Sequence, residues 1–354
     1  MKAMVLAAGL GSRLRPLTNH VSKPMVRLAG RPCLEHIVRL LRQYDFKDLI
    51  VNLHYKPEMI RNYFGPGEKF GLSIRYSYEE ELLGTAGGVK KVERYFGGES
   101  LLIISGDALT DINLEQFYRY HREKGAPATL ALKEVADPTR YGVVTTDDNG
   151  LITAFQEKPS REEAISNLAN TGIYLFEPAI FNYIPAGSFF DFGRDLFPLL
   201  LKKGEKIAGY TMSGYWCDIG NLEVYREAHY DMLNGLVKVK IPGKRFGSNI
   251  WLGRQPDIDP STRIVGPAVI GDRCRIEREA RIYGPVVLGE ETVIGEGAVI
   301  KRGVFWERVQ VGKRSRLIDC IVGQDCRVAP GLFLENRVLD HQGLEQRQCP
   351  PAGG

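Results

Sequence analysis

The stretch IVGPAVIGDRCRIEREARIYGPVVLGEETVIGEGAVIKRGVFW, Ile264 to Trp306, decides the architecture of the C-terminal third of the chain. Apolar residues stand at Ile264, Ile270, Ile276, Ile282, Leu288, Ile294, Ile300 and Trp306, each six residues after the last. After a slip of one residue the pattern resumes at Val311 and Leu317, and after a second such slip at Val322 and Val328. Small or turn residues often follow, as in Ile270-Gly271, Leu288-Gly289, Ile294-Gly295 and Val322-Gly323. A helix has a period of about 3.6 and a half-buried strand a period of 2, so neither produces this spacing. A six-residue repeat instead sends one apolar side chain inward per short strand. Three such strands close one triangular coil, and stacked coils share a continuous core. The expectation for 261–340 is a left-handed parallel β-helix of hexapeptide repeats. A linker is expected at 236–260. The tail from His341 to Gly354, polar and ending in prolines and glycines, is expected to be disordered.

Working outward toward the N-terminus, the rhythm changes. Lys2–Leu6, Asp48–Leu53, Ser73–Tyr76 and Leu101–Ser105 read as strands. Pro32 opens a helix with Leu34, Ile37, Val38 and Leu41 on one face. Asn113 caps another, with Gln116 three residues on and Leu114, Phe117 and Tyr118 facing inward. Strand and helix in alternation predict an α/β domain over 1–235, a Rossmann-like mixed and mainly parallel sheet covered on both faces.

The loop after the first strand runs Ala7-Ala8-Gly9-Leu10-Gly11-Ser12-Arg13-Leu14-Arg15-Pro16-Leu17-Thr18. Two glycines let the backbone approach a phosphate closely, and Arg13 offers a permanently charged fork for its oxygens. Lys23 follows as a second cation. Neither the third glycine of a dinucleotide fingerprint nor the GK[ST] of a P-loop is present, so a tight turn with a solvated arginine reads as well from these residues alone. Asp107 directly follows the strand Leu101–Ser105, where an open α/β sheet binds its ligands, and Gly106 is expected to leave a ligand room. Asp218 lies in Tyr215-Trp216-Cys217-Asp218-Ile219-Gly220, ahead of a helix starting near Asn221. Two aspartates at separate sheet edges suit magnesium, which takes one or two carboxylates together with water and phosphates. Each alone also reads as a turn or capping aspartate.

Bulk properties exclude more than they assign. A chain of 354 residues with 44% hydrophobic and 25% charged residues is an ordinary globular composition, long enough for two domains. The net charge of +4 is spread without a long basic block, so no nucleic-acid partner is expected. Apolar runs are strand-sized, so no membrane partner is expected either. Six scattered cysteines without a CxxC pair indicate a reduced, cytoplasmic chain.

Together these pieces resemble the sugar-1-phosphate nucleotidyltransferase family. Gly9, Gly11, Ser12, Arg13, Leu14, Pro16, Leu17 and Thr18 match its GxG[TS]RLxPLT signature. Ser22-Lys23-Pro24 matches its PKP, with Ser22 in place of the first proline. Leu83-Gly84-Thr85-Ala86-Gly87-Gly88, Glu157-Lys158-Pro159, Asn170-Thr171-Gly172-Ile173-Tyr174 and Trp216-Cys217-Asp218-Ile219-Gly220 are similar to its LGTAG, EKP, NxGIY and WxDIG segments. The likeness covers nearly the whole chain. It implies that the backbone from Ala8 to Ser12 wraps a triphosphate, that Arg13 and Lys23 hold phosphates in the transition state, and that Asp107 and Asp218 carry magnesium. It further implies that Gly84, Thr85 and Gly106 border the nucleotide. Glu157 and Asn170, with backbone near Gly142, would read sugar hydroxyls, and Lys158 would grip the sugar phosphate. The implied substrates are a nucleoside triphosphate and a sugar 1-phosphate, and a homo-oligomer is expected.

Within the family the chain is most similar to bacterial mannose-1-phosphate guanylyltransferases, which makes GTP and mannose 1-phosphate the expected pair. Glu79, by register to Gly84, is expected to read the two adjacent donors of guanine with its carboxylate; a solvated acidic run at Glu79–Glu81 is the plain alternative. A glucose-1-phosphate enzyme using dTTP, UTP or ATP is one rival reading. An inactive regulatory or scaffold relative is another, although Arg13, Lys23 and both aspartates stand. The repeat region contains no histidine between Ile264 and Leu332, so an acyltransferase base is not expected there.

Overall fold

A computed structural model describes residues 1–247 and 249–340. By its contacts the chain divides into two compact units. The first takes residues 1–10, 22–25 and 34–218, and the second takes 11–21, 26–33 and 219 onward.

The first unit is a mixed α/β domain. Strand β1 (Lys2–Leu6) is central, with Ala3, Met4 and Val5 fully buried. In chain order, two short strands, β2 (Arg27–Leu28) and β3 (Arg31–Pro32), belong to the second unit, and helix α1 (Cys33–Gln43) follows. Then come β4 (Asp48–Leu53), α2 (Pro57–Phe64), β5 (Ser73–Tyr78), α3 (Gly84–Lys91), α4 (Glu93–Phe96), β6 (Leu101–Ser105), β7 (Ala108–Thr110), α5 (Leu114–Lys124), β8 (Ala128–Glu134), β9 (Gly142–Thr146), β10 (Ile152–Glu157), β11 (Leu168–Phe176), α6 (Phe197–Lys202), β12 (Ile207–Thr211) and β13 (Trp216–Asp218). The large sheet runs β10-β9-β11-β6-β1-β4-β5, with β8 beside β11 and β12 beside β8. The pairs β1/β4, β1/β6, β4/β5 and β8/β12 are parallel. Strand β11 runs antiparallel to β6, β8 and β9, so the sheet is more mixed than the strand–helix rhythm alone predicts.

Local chemistry accounts for the elements. Leu34, Ile37, Val38 and Leu41 line the buried face of α1, as their spacing predicts. Asn113 Oδ1 accepts from Gln116 N at 3.0 Å and starts α5. Leu114, Phe117 and His121 form its inner stripe, while Tyr118 is 38% exposed and not inward as expected. The i, i+3, i+7 positions already fill a narrow seam, and i+4 falls at its edge.

The second unit is rich in short parallel strands. Arg281–Leu288, Val299–Phe305 and Arg316–Val322 pair in parallel, each rung displaced 18 and then 17 residues along the chain (Ile282 opposite Ile300, Ile300 opposite Leu317). The periodic residues from Ile270 to Val328 are buried, with Ile264 packed at the margin. Left-handed backbone recurs at the corners, at Arg273, Glu279, Glu291, Gly297, Arg302, Arg308 and Arg314. Helix α7 (Leu222–Leu233), capped by Asn221 Oδ1 accepting from Val224 N, packs on two of these rungs. Trp306 Nε1 donates to Tyr225 Oη at 2.8 Å.

The domain boundaries differ from expectation. The segment 236–260 is not a plain linker: Ile250–Leu252 already pairs in parallel with Ala268–Ile270, and Asp257–Ile258 with Arg275–Ile276. A strand needs only a few residues per rung, so parallel pairing begins before the six-residue period is regular enough to see. The tail 341–354 lies outside the described residues. No helix among the described residues is long and apolar enough to cross a membrane.

Candidate active site

The functional side chains of the first unit gather where strands end. Asp107 follows β6, and Asp218 closes β13, which pairs with β7 so that Asp218 lies opposite Ala108. Between the two carboxylates stands Lys23. Its ammonium donates to Asp107 Oδ2 and lies 3.3 Å from Asp218 Oδ1. Lys23 is 8% exposed. Burial alone would depress its pKa, but Asp107 and Asp218 outweigh it and hold the ammonium well above the ordinary lysine value.

Three residues that the sequence leaves 84 and 195 positions apart therefore surround one point. Two carboxylates converging on a cation form a hard, all-oxygen donor set, which fits magnesium. Among the described residues no group of three or more His, Cys, Asp and Glu side chains surrounds a single position. A magnesium ion at Asp107 and Asp218 would thus complete its shell with water and substrate oxygens.

The phosphate loop is shaped for close approach. A Cβ on Gly9 would meet nothing within 4 Å. Gly11 takes a left-handed backbone and starts the turn Ser12–Leu14, with Thr18 Oγ1 donating to Gly11 O at 2.8 Å. Ala8 is buried, Leu14 anchors the turn, and Ser12 and Arg13 are exposed.

Gly106 and Glu79 are both closely packed. The Cβ position of Gly106 lies 3.1 Å from Leu6 O and Val5 Cγ1 and 3.2 Å from Leu34 Cδ1. Glycine is needed there because β1 and α1 crowd the end of β6. Glu79 is 1% exposed and its carboxylate is engaged on both oxygens, by Asn52 Nδ2 at 2.8 Å and Leu83 N at 3.1 Å. Each oxygen thus accepts one hydrogen bond from within the fold.

Gly84 and Thr85 form a seam with the segment before α6. A Cβ on Gly84 would lie 2.5 Å from Phe190 O. Thr85 Oγ1 donates to Asp191 Oδ2 at 2.8 Å and accepts from Phe192 N at 2.8 Å.

On the other side of the sheet, Glu157 lies opposite Gly142 on β9. A Cβ on Gly142 would come 2.8 Å from Glu157 Oε2, and one on Gly193 would come 2.6 Å from it. Two glycines therefore cradle one carboxylate. The following Lys158 holds a left-handed backbone, with its Nζ 3.4 Å from Glu157 Oε1. Asn170 sits where the β11/β8 register shifts, donating to Tyr174 Oη at 3.0 Å and accepting from Gly172 N at 3.2 Å. Trp216 Nε1 donates to the bulge carbonyl of Thr171 at 3.0 Å, tying this region to the strand of Asp218. Sequence reading missed Asn52, Asp191 and Gly193; the run Phe190-Asp191-Phe192-Gly193 was the available signal for the last two.

The chain is similar to known proteins over most of its length. The family described as nucleotidyl transferase matches residues 2–235, and the one described as GMPPB C-terminal domain matches residues 248–347. A UTP–glucose-1-phosphate uridylyltransferase of Synechocystis sp. is 40% identical, over 99% of this chain and 97% of its own. A mannose-1-phosphate guanylyltransferase of Mycobacterium tuberculosis is 34% identical, over 78% of this chain and 81% of its own. A solved Bacillus anthracis structure, described as a glucose-1-phosphate thymidylyltransferase in complex with sucrose, superposes with a TM-score of 0.61 at 27% identity, over 69% of this chain and 98% of that one.

Proposed function

The chain belongs to the nucleotidyl transferase family, and from that premise we propose that it transfers a nucleotidyl group from a nucleoside triphosphate to a sugar 1-phosphate and releases pyrophosphate. The observation that carries this reading is Lys23 held between Asp107 and Asp218 at the strand ends. A phosphate oxygen of the sugar substrate attacks the α-phosphorus in line, and pyrophosphate departs opposite. No covalent enzyme intermediate is required, so positioning and charge are what the protein supplies. Both substrates are anionic, and cations must offset their repulsion. Lys23 takes that role at the α-phosphate, Arg13 on the triphosphate and Lys158 on the sugar phosphate. Magnesium held by Asp107 and Asp218 would draw charge from the phosphate oxygens during the transfer. Backbone from Ala8 to Ser12 receives the triphosphate. Glu157, on its glycine cradle, and Asn170 take the sugar hydroxyls.

Two substrate pairs have support. GTP with mannose 1-phosphate is favoured by the match of the C-terminal domain and by the mycobacterial relative. UTP with glucose 1-phosphate is favoured by the Synechocystis relative, which is more alike over nearly the whole chain. Glu79 is engaged on both oxygens within the fold, so in this reading the choice of base rests on the relatives rather than on that carboxylate. In the second unit, the 17- and 18-residue rungs and the recurrent left-handed corners support a left-handed parallel β-helix, in keeping with a structural or subunit-contact role.

The test is pyrophosphate release with magnesium, across GTP, UTP, dTTP, ATP and CTP against mannose and glucose 1-phosphates, with Asp107→Asn as control. One pair should dominate and the control should be inactive. Silence from a folded protein that still binds nucleotide would replace this reading with that of a regulatory relative.

A further inference from the structure

A chain of hydrogen bonds runs beneath the nucleotide loop without touching the cation cluster. Ala7 N donates to Asn52 Oδ1 at 2.7 Å. Asn52 Nδ2 donates to Glu79 Oε1 at 2.8 Å. Leu83 N donates to Glu79 Oε2 at 3.1 Å. His54 Nδ1 also lies 2.9 Å from Glu79 O. Asn52 is 3% exposed and Glu79 1%. Ala7 opens the loop after β1, Asn52 and Glu79 lie at the ends of β4 and β5, and Leu83 immediately precedes α3. Gly88 on α3 admits the pair from above: a Cβ there would lie 2.6 Å from Glu79 Oε1 and 3.2 Å from Asn52 Nδ2.

We propose that Asn52 and Glu79 are a positioning pair for the nucleotide, a buried amide–carboxylate bridge that fixes the start of the phosphate loop at Ala7 against the Leu83–Thr85 wall. This rests on the reading above that a triphosphate lies along that loop. The chemistry of each position is determined by donor and acceptor count. Both groups aimed at the Glu79 side chain are donors, so it must accept on both oxygens. Asn52 must accept from a backbone N–H with one atom and donate with the other, which an amide does without any change of protonation state. The pair therefore acts through backbone placement and is indifferent to the base.

The same logic provides a rescue. Glu79→Gln places an NH2 against a donor on one side. Asn52→Asp places an acceptor against an acceptor. Together the two changes restore every bond: the carboxylate introduced at position 52 accepts from Ala7 N and from the new glutamine amide, and the glutamine oxygen accepts from Leu83 N. A buried group left without its partner costs enough to lower function about tenfold to a hundredfold. Each single variant is expected to lose that much in kcat/KM for every triphosphate, with the ratio between GTP and UTP held within about twofold, and the double variant to recover most of it.

Steady-state kinetics of the wild type, both single variants and the double variant decide the matter, together with amide hydrogen exchange at Ala7 and Leu83. Faster exchange at both amides in the singles, and its reversal in the double, reads the bridge without reference to activity. A changed GTP to UTP ratio in Glu79→Gln overturns the proposal in favour of base reading. Unchanged kcat/KM in a single variant whose exchange has risen overturns it in favour of a purely structural bridge. A wild type silent toward every triphosphate, with the exchange pattern as expected, removes the functional reading and with it the positioning role, while leaving the bridge.

Discussion

Lys23 Nζ lies 3.3 Å from Asp218 Oδ1, across 195 residues of chain, while the same ammonium donates to Asp107. The lysine thus occupies the point on which both expected metal carboxylates converge. Lys23→Met is expected to lower kcat by about 10²- to 10³-fold, the usual cost of losing one charge-stabilising donor in a transition state. The same variant should gain more thermal stability from added magnesium than the wild type does, because no ammonium then competes for the carboxylates. Differential scanning fluorimetry over a magnesium titration checks this, and an equal or smaller gain would refute it.

Chelation should abolish pyrophosphate release. Added EDTA is expected to stop the reaction and excess magnesium to restore it. Asp218→Asn should require more magnesium for half-maximal rate, measured at saturating substrates, and Asp107→Asn should stay inactive at every magnesium concentration.

Gly142→Ala would push a methyl group to 2.8 Å from Glu157 Oε2, and Gly193→Ala one to 2.6 Å. Either should turn Glu157 from its cradle. The KM for the sugar 1-phosphate is expected to rise about tenfold, the equivalent of roughly one charged hydrogen bond, with the KM for the triphosphate unchanged. A rise in both constants would place Glu157 outside the sugar site.

His121 provides a pH dependence remote from the cation cluster. Its Nδ1 lies 2.6 Å from Thr129 Oγ1 and its Nε2 3.1 Å from Glu177 Oε1. Burial pushes its pKa below the ordinary histidine value, Glu177 opposes that, Arg122 adds to it, and the net shift is downward. The folded protein therefore holds the ring neutral while the unfolded chain protonates near pH ~6.5. The stability it contributes is complete above that pH and is lost as pH falls toward the lower folded value. Urea midpoints should decline below pH ~6.5 in the wild type and decline less in His121→Gln.

Ile294 is fully buried in the stacked rungs. Ile294→Ala should cost about 2–5 kcal/mol of stability, read by denaturant unfolding. Surface positions on the same rungs, such as Arg281→Ala, should change it little.

Much of the fold was legible because it is written in local spacing. Leu34, Ile37, Val38 and Leu41 lie on one helical face whatever surrounds them. Asn113 and Asn221 satisfy N–H groups three residues on. The six-residue period from Ile270 to Ile300 allows only a stack of short rungs. Tyr118 shows the limit: a helical period gives the direction of a face, and the packing partner decides how wide it is. The start of the rungs at Ile250 was hidden because a strand of three residues carries no period of its own.

Residue type and short-range spacing alone made legible the α/β character of the first unit, the short-strand rhythm of the second, the glycine loop after β1 and the cation and carboxylate residues as candidates. What those side chains meet depends on long-range packing. It puts Lys23 between Asp107 and Asp218, brings Leu6, Val5 and Leu34 close to Gly106, and encloses Glu79 against Asn52 and Leu83. The physical reason is that a carboxylate's role follows from the donors that reach it once water is excluded. Strands adjacent in the sheet, such as β1, β4 and β6, bring together donors and acceptors that stand tens to hundreds of residues apart along the chain.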